Sequence, residues 1–150
     1  LSVGKLRFDG YKKALEKNGI EYNPKLVYTC ENSSFEEGYN FCKQIIDEHP
    51  DVDGIFSVTD LVAIGAINFL NEKKVNVPEQ IKVIGFSNWF MGQVITPKLS
   101  TVDQPGYEMG IASFNLLLEE MITRKEEQEF IPRTIELETS IIERESTSKK

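Results

Sequence analysis

One histidine, one tryptophan and two cysteines are few for 150 residues, and each scarcity removes a class of function. His49 stands beside Pro50 with no cysteine or second histidine at ligand spacing, which leaves a zinc site or a histidine-based triad without support. Cys30 is expected at a strand end and Cys42 in mid-helix on a core-facing stripe. Two buried free thiols are therefore expected rather than a disulfide, in keeping with a reducing cytoplasm. No apolar run approaches the roughly 18 residues of a membrane span, and no signal-peptide pattern is present. Gly-x-Ser-x-Gly and phosphate-cradling glycine loops are also missing. Glu36-Glu37 and Glu119-Glu120 are adjacent, so neither pair faces itself across a helix, and both read as solvated faces. Positive charge is short as well. The net charge is -7 with lysine and arginine scattered, a surface that repels a polyphosphate, so this chain by itself is not expected to hold DNA.

What is present suffices for one ordinary core, with 40% hydrophobic and 27% charged residues. Residues 2–18 read as a helix ending at Gly19, a residue suited to a left-handed cap. Lys25–Thr29 reads as a strand. Phe35, Tyr39, Cys42, Ile45 and Ile46 then form one apolar helical stripe, opened by the capping box of Ser34 and Glu37 and stopped at Pro50. A strand over 54–58 leads into a helix from Asp60 to about Lys74, and 81–86 forms a further strand. An irregular stretch follows, then a short strand near 100–102 and a helix from about Pro105 to Arg124. Extended segments at 133–138 and 140–144 close the fold, with Ser146 to Lys150 expected to fray. Strand and helix alternate, which predicts an α/β fold with a mostly parallel sheet flanked by helices.

Thr59-Asp60 marks the junction between an apolar strand and a helix. In such a sheet ligands bind outside the carboxyl ends of the strands, and an anion is favoured near a helix N-terminus. Two readings stand side by side for Asp60: a ligand-contacting carboxylate, and a helix cap.

Six strings occur in order along the chain: Thr59-Asp60 with Val62-Ala63-Ile64-Gly65-Ala66; Val77-Pro78-Glu79; Val83-Ile84-Gly85-Phe86; Thr96-Pro97-Lys98-Leu99-Ser100-Thr101-Val102-Asp103-Gln104-Pro105; Met109-Gly110; and Thr139 to Ser146. Together they resemble the effector-binding domain of the lactose-repressor/galactose-repressor (LacI/GalR) family of bacterial regulators. The resemblance implies a periplasmic-binding-protein-like (type I) fold, with this chain one lobe of a two-lobed domain. Residues 1–104 and 132–146 would form the second lobe, and the helix 105–124 would belong to a first lobe outside the chain. Its apolar face, including Tyr107, Ile111, Phe114, Leu117, Leu118 and Met121, is then expected to fold back or to be covered by another chain. A helix-turn-helix headpiece, also outside the chain, would make the contact with operator DNA.

The resemblance further implies site residues. Arg7, three before Gly10, corresponds to an arginine that reaches into the cleft, and Asp60 to an effector-contacting aspartate. The family often places an aromatic five residues before its helix glycine; here that position is Ser33. Trp89 is the better stacking candidate, with Asn88 beside it, while Ser87 replaces the family's usual aspartate. Gln104 is expected as a pocket or hinge residue. Arg7 and Asp60 are expected to line one depression at the sheet's carboxyl edge. The function implied is cytoplasmic sensing of a small molecule, a neutral sugar before a charged one, by a homodimeric transcriptional regulator without cofactor or catalysis. The alternative is a periplasmic sugar-binding protein of a transport system; an enzyme acting on sugars is the third and remotest.

Overall fold

The computed structural model describes residues 3–148. α1 (Val3–Lys17) ends as the sequence predicts. Gly19 takes φ +67°, its N–H donates to Glu16 O at 3.1 Å, and Ile20 N donates to Leu15 O at 3.0 Å. That double bond satisfies the last free carbonyls of the helix. α2 (Phe35–Glu48) opens on the expected reciprocal cap. Ser34 Oγ accepts from Glu37 N at 3.1 Å, and the Glu37 carboxylate accepts from Ser34 N at 2.9 Å.

Glu37 also accepts from the backbone of Glu31 and Asn32. These N–H donors, Ser34 first, hold its carboxyl below the ordinary glutamate range. A depressed folded value means a contribution that is complete above the unfolded pKa of about 4.3 and lost as pH falls through the folded one. Glu37→Gln is therefore expected to lower the melting temperature at neutral pH and to flatten its decline in acid. Acid limbs that superimpose for variant and parent would refute this.

α3 (Asp60–Glu72) packs along α2, and its buried face (Val62, Ala63, Ala66, Ile67, Phe69, Leu70) supplies most of the core. The two helices meet backbone to backbone at Gly38 and Gly65. The sheet runs in the order β1 (Gly54–Phe56), β2 (Lys82–Phe86), β3 (Ser100–Asp103), β4 (Ser140–Ile142). β1–β2 and β2–β3 are parallel, and β3–β4 is antiparallel. Val83, Ile81 and Leu99 close the core from the sheet side, completing an α/β fold with a mostly parallel sheet. Both cysteines are free, and burial pushes the Cys42 thiol up to about 12, so it stays protonated and unreactive at neutral pH.

Three expectations need correction. Residues 25–29 form no strand: Pro24–Leu26 is a 3₁₀ turn, and the chain beyond it stands off from β1 across a cavity of about 420 Å³. A strand exists only through its ladder, and β1 pairs with β2 alone. The segment 133–138 likewise has no strand assignment; it is exposed and runs back along the final long helix instead. Ser146 does not fray. It is 0% exposed, donates from Oγ to Val83 O at 2.6 Å, and accepts from Ser100 N at 2.8 Å. Its backbone adds bonds to Lys98 O and Val83 N, so the segment after β4 plugs the gap between β2 and β3.

α4 (Gly106–Lys125) has no buried residue. Phe114, Leu117 and Met121 are 64%, 55% and 61% exposed, so within this chain the helix does not fold back onto the lobe. Its tie to the rest is the return segment, where Arg133 grips Glu119 through two bonds of 2.7 and 2.6 Å.

Candidate functional site

The carboxyl ends of β1 and β2 carry a depression of about 390 Å³, lined by Thr59, Asp60, Leu61, Phe86, Ser87, Asn88, Trp89 and Phe90. Each wall follows from a local rule. Thr59 is the N-cap of α3, its hydroxyl accepting from Val62 N, so the strand must end and turn there. β2 ends in two consecutive left-handed residues, Ser87 (φ +113°) and Asn88 (φ +51°). This reversal turns the chain out of the sheet and delivers Trp89 to the rim. Asn tolerates the left-handed region and Ser does so less well, so Ser87 carries local backbone strain. Trp89 is 42% exposed and meets Phe90 edge to face at 5.6 Å, giving the depression an aromatic wall.

Arg7 reaches the same edge from α1. Its guanidinium lies 3.8 Å from the Phe86 ring centroid and donates through Nη1 to Val58 O. Partial burial lowers its pKa, though an arginine so placed stays charged. Thr59, Ser87 and Trp89 thus line one hollow at the sheet edge with two hydroxyls and an aromatic face, and Arg7 lies at the same edge behind Phe86, outside the lining. Such a set can hydrogen-bond ring hydroxyls while an apolar ring face stacks.

Asp60 lines the depression as expected, but from its floor. It is 1% exposed, and both carboxylate oxygens are engaged: Oδ2 accepts from Trp89 N at 2.6 Å and Oδ1 from Thr101 Oγ1 at 2.6 Å. Gly85 admits this carboxylate, because a Cβ there would stand 2.2 Å from Oδ1. In this conformation Asp60 forms the floor under Trp89 and has almost no surface to offer a ligand. Asn88 is also committed, donating from Nδ2 to Asp103 Oδ1 at 2.8 Å and accepting at Oδ1 from Arg144 Nη2 at 2.6 Å.

Ser33 and Gln104 are not brought into the depression. Ser33 lines the separate cavity with Cys30, Phe41 and Ile55. Gln104 sits half-buried just past β3, its carbonyl accepting from Gly106 N at 2.7 Å. Leu61, Phe86 and Phe90 are apolar lining residues that reading the sequence passed over. Phe86 was visible only as a motif letter, and the spacing of Phe90 from Gly85 carries no periodic signal.

Residues 1–147 match the family model described as periplasmic binding protein-like domain. The HTH-type transcriptional regulator RegA of Clostridium saccharobutylicum is 34% identical over 141 residues, covering 94% of this chain and 41% of that protein. A LacI family transcriptional regulator from Enterococcus faecium, solved with bound ribose, superposes with a TM-score of 0.79 at 30% identity, over 94% of this chain and 50% of the other. One from Arthrobacter sp. FB24 in complex with lactose gives a TM-score of 0.81 at 26% identity, over 99% and 52%. The chain spans about half, or less, of the length of these proteins.

Proposed function

This chain belongs to the periplasmic binding protein-like domain family, among the LacI/GalR effector-binding domains, and from that premise we propose that it forms one wall of a cleft that senses a neutral sugar in a cytoplasmic DNA-binding regulator. The observation that supports this reading is the hollow lined by Thr59, Ser87 and Trp89 at the sheet's carboxyl edge, with Arg7 at the same edge against Phe86. Arg7 donates to sugar oxygens and Trp89 stacks on the ring, while Asp60 and Asn88 hold Trp89 in place from below. A hollow whose lining among the described residues holds no cation, with one arginine at the same sheet edge, fits a neutral ligand better than a phosphorylated one. Operator DNA is bound through a headpiece elsewhere in the regulator. The effector acts by preferring one relation of the two lobes, and it shifts the equilibrium only by its differential affinity for the two states.

In the intact regulator, Arg7→Ala is expected to raise the effector concentration needed for the operator response roughly ten- to hundredfold, since a hydrogen bond to a charged group is worth about 1.5–3 kcal/mol. Fluorescence anisotropy on labelled operator reads this. An unchanged midpoint would remove Arg7 from the site.

The same reading assigns α4 to the other lobe. Its exposed aliphatic and aromatic side chains, each worth about 1.5–3 kcal/mol on burial, need a partner. We expect the isolated chain to form dimers at tens of micromolar by sedimentation velocity, with Phe114→Glu returning them to monomer. A monodisperse monomer of the parent chain overturns that expectation.

A further inference from the structure

The terminal string Glu143-Arg144-Glu145-Ser146 has so far explained only a plug in the sheet, yet Arg144 reaches beyond it. From the residues after β4 its guanidinium donates through Nη1 to Leu99 O at 2.7 Å and through Nη2 to Asn88 Oδ1 at 2.6 Å. Its backbone is pinned to Ser100 Oγ, with N donating at 2.7 Å and O accepting at 3.1 Å. The guanidinium therefore starts from a fixed base.

The Asn88 amide is held from both ends. Asp103 faces its Nδ2 and Arg144 its Oδ1. A carboxylate only accepts and a guanidinium only donates, so these two partners admit one orientation of the amide. Asn88 is also the second of the two left-handed residues, and its own N–H is spent on Thr101 Oγ1 at 3.2 Å. The next N–H, that of Trp89, goes to Asp60.

We infer that Arg144 is a positioning residue for the ligand depression: by clamping Asn88 it holds the Ser87–Trp89 reversal in place and so sets the pose of Trp89, from a segment that contributes nothing to the depression's lining. A lysine at 144 can make one of the two reaches but not both, because it lacks the planar fork. The clamp rests on the sugar-sensing reading for its purpose, and on the geometry alone for its effect on Trp89.

Trp89 is the chain's single tryptophan, so its fluorescence reports the loop directly and without ligand. Acrylamide quenching of the whole chain is compared for parent, Arg144→Ala, Arg144→Lys and Ser146→Ala. Ser146 lies in the same plug but bonds Val83 and Ser100, not the loop. Release of a locally held segment should raise the quenching constant roughly 1.5-fold or more in Arg144→Ala, with a smaller rise in Arg144→Lys. Ser146→Ala, though it melts earlier, should quench like the parent below its transition. If Arg144→Ala does not fold, Arg144→Lys against Ser146→Ala decides the matter alone. Equal quenching in the arginine and serine variants overturns the inference, whatever the depression binds. If the quenching contrast is found but neither ribose nor lactose shifts Trp89 emission in the intact regulator, the sugar reading falls and the clamp stands.

Discussion

Gly65→Ala is expected to cost about 3–5 kcal/mol, a large part of the total in a domain whose stability is on the order of 5–15 kcal/mol, and so to lower the melting temperature by about 10 °C or more. A Cβ at position 65 would stand 2.1 Å from Phe35 O and 2.9 Å from Tyr39 N, and on the facing helix a Cβ at Gly38 would stand 2.0 Å from Val62 O. These are backbone atoms of α2 and α3 and cannot rotate aside. The helices must part, and with them the contacts of Tyr39, Cys42, Ala66 and Phe69. Ordinary overpacking costs about 1–3 kcal/mol, and a clash against fixed backbone lies at or above the top of that range. Helix propensity runs the other way, favouring alanine over glycine by about 1 kcal/mol, so the sign of the effect is informative. Gly10 in α1 has open space around its Cβ position, and Gly10→Ala should leave the melting temperature equal or higher. A folded Gly65→Ala variant melting near the parent would show that the α2–α3 crossing is looser than described.

Asp60→Ala is expected to have the second largest effect, again before any ligand is added. It strands two donors, Trp89 N–H and the Thr101 hydroxyl, whose other acceptor, Val102 O, lies 3.5 Å away. Each unsatisfied buried donor costs about 1–3 kcal/mol, and the hollow left against Gly85 adds to that, so a total of about 3–5 kcal/mol follows. Asp60→Asn keeps the shape. Its amide oxygen can accept from Trp89 while its NH₂ donates to Thr101 Oγ1, and a loss of about 1 kcal/mol is expected. Thermal melts with Trp89 emission as a second probe separate the two variants. If Asp60→Ala were as stable as the parent while the intact regulator lost its effector response, the carboxylate would be a ligand contact after all, and its burial here would belong to one conformation of the cleft.

The elements legible from the residues were those whose causes are local. The reciprocal cap of Ser34 and Glu37, the left-handed stop at Gly19 and the stripe from Phe35 to Ile46 are relations within four residues or at helical spacing, and all three stand in the structure. The alternation of strand and helix implied a parallel sheet, and the ordered motifs implied the family before any coordinates. The placing of Asp60 and Trp89 at one edge followed from the same topology, since the strand ends deliver their following residues to one side. Long-range relations were not legible. Nothing near residue 27 says that β1 leaves its outer edge unpaired. Nor does anything near Ser146 say that Val83 and Ser100, distant in the chain, leave a carbonyl and an N–H that its hydroxyl can satisfy together. Asp60 was expected as a ligand contact, with a helix cap as the other reading; Gly85, Trp89 and Thr101, brought against it by the packing of α3 on β2, decided that it is buried. The apolar face of α4 was plain from its composition, but whether it is covered depends on what lies opposite, and within this chain that space is solvent. Periodicity and capping act through bonds along the chain, so the amino-acid sequence determined them by itself. Pairing, burial and polar satisfaction act between segments far apart in the chain, and only the tertiary structure decided those.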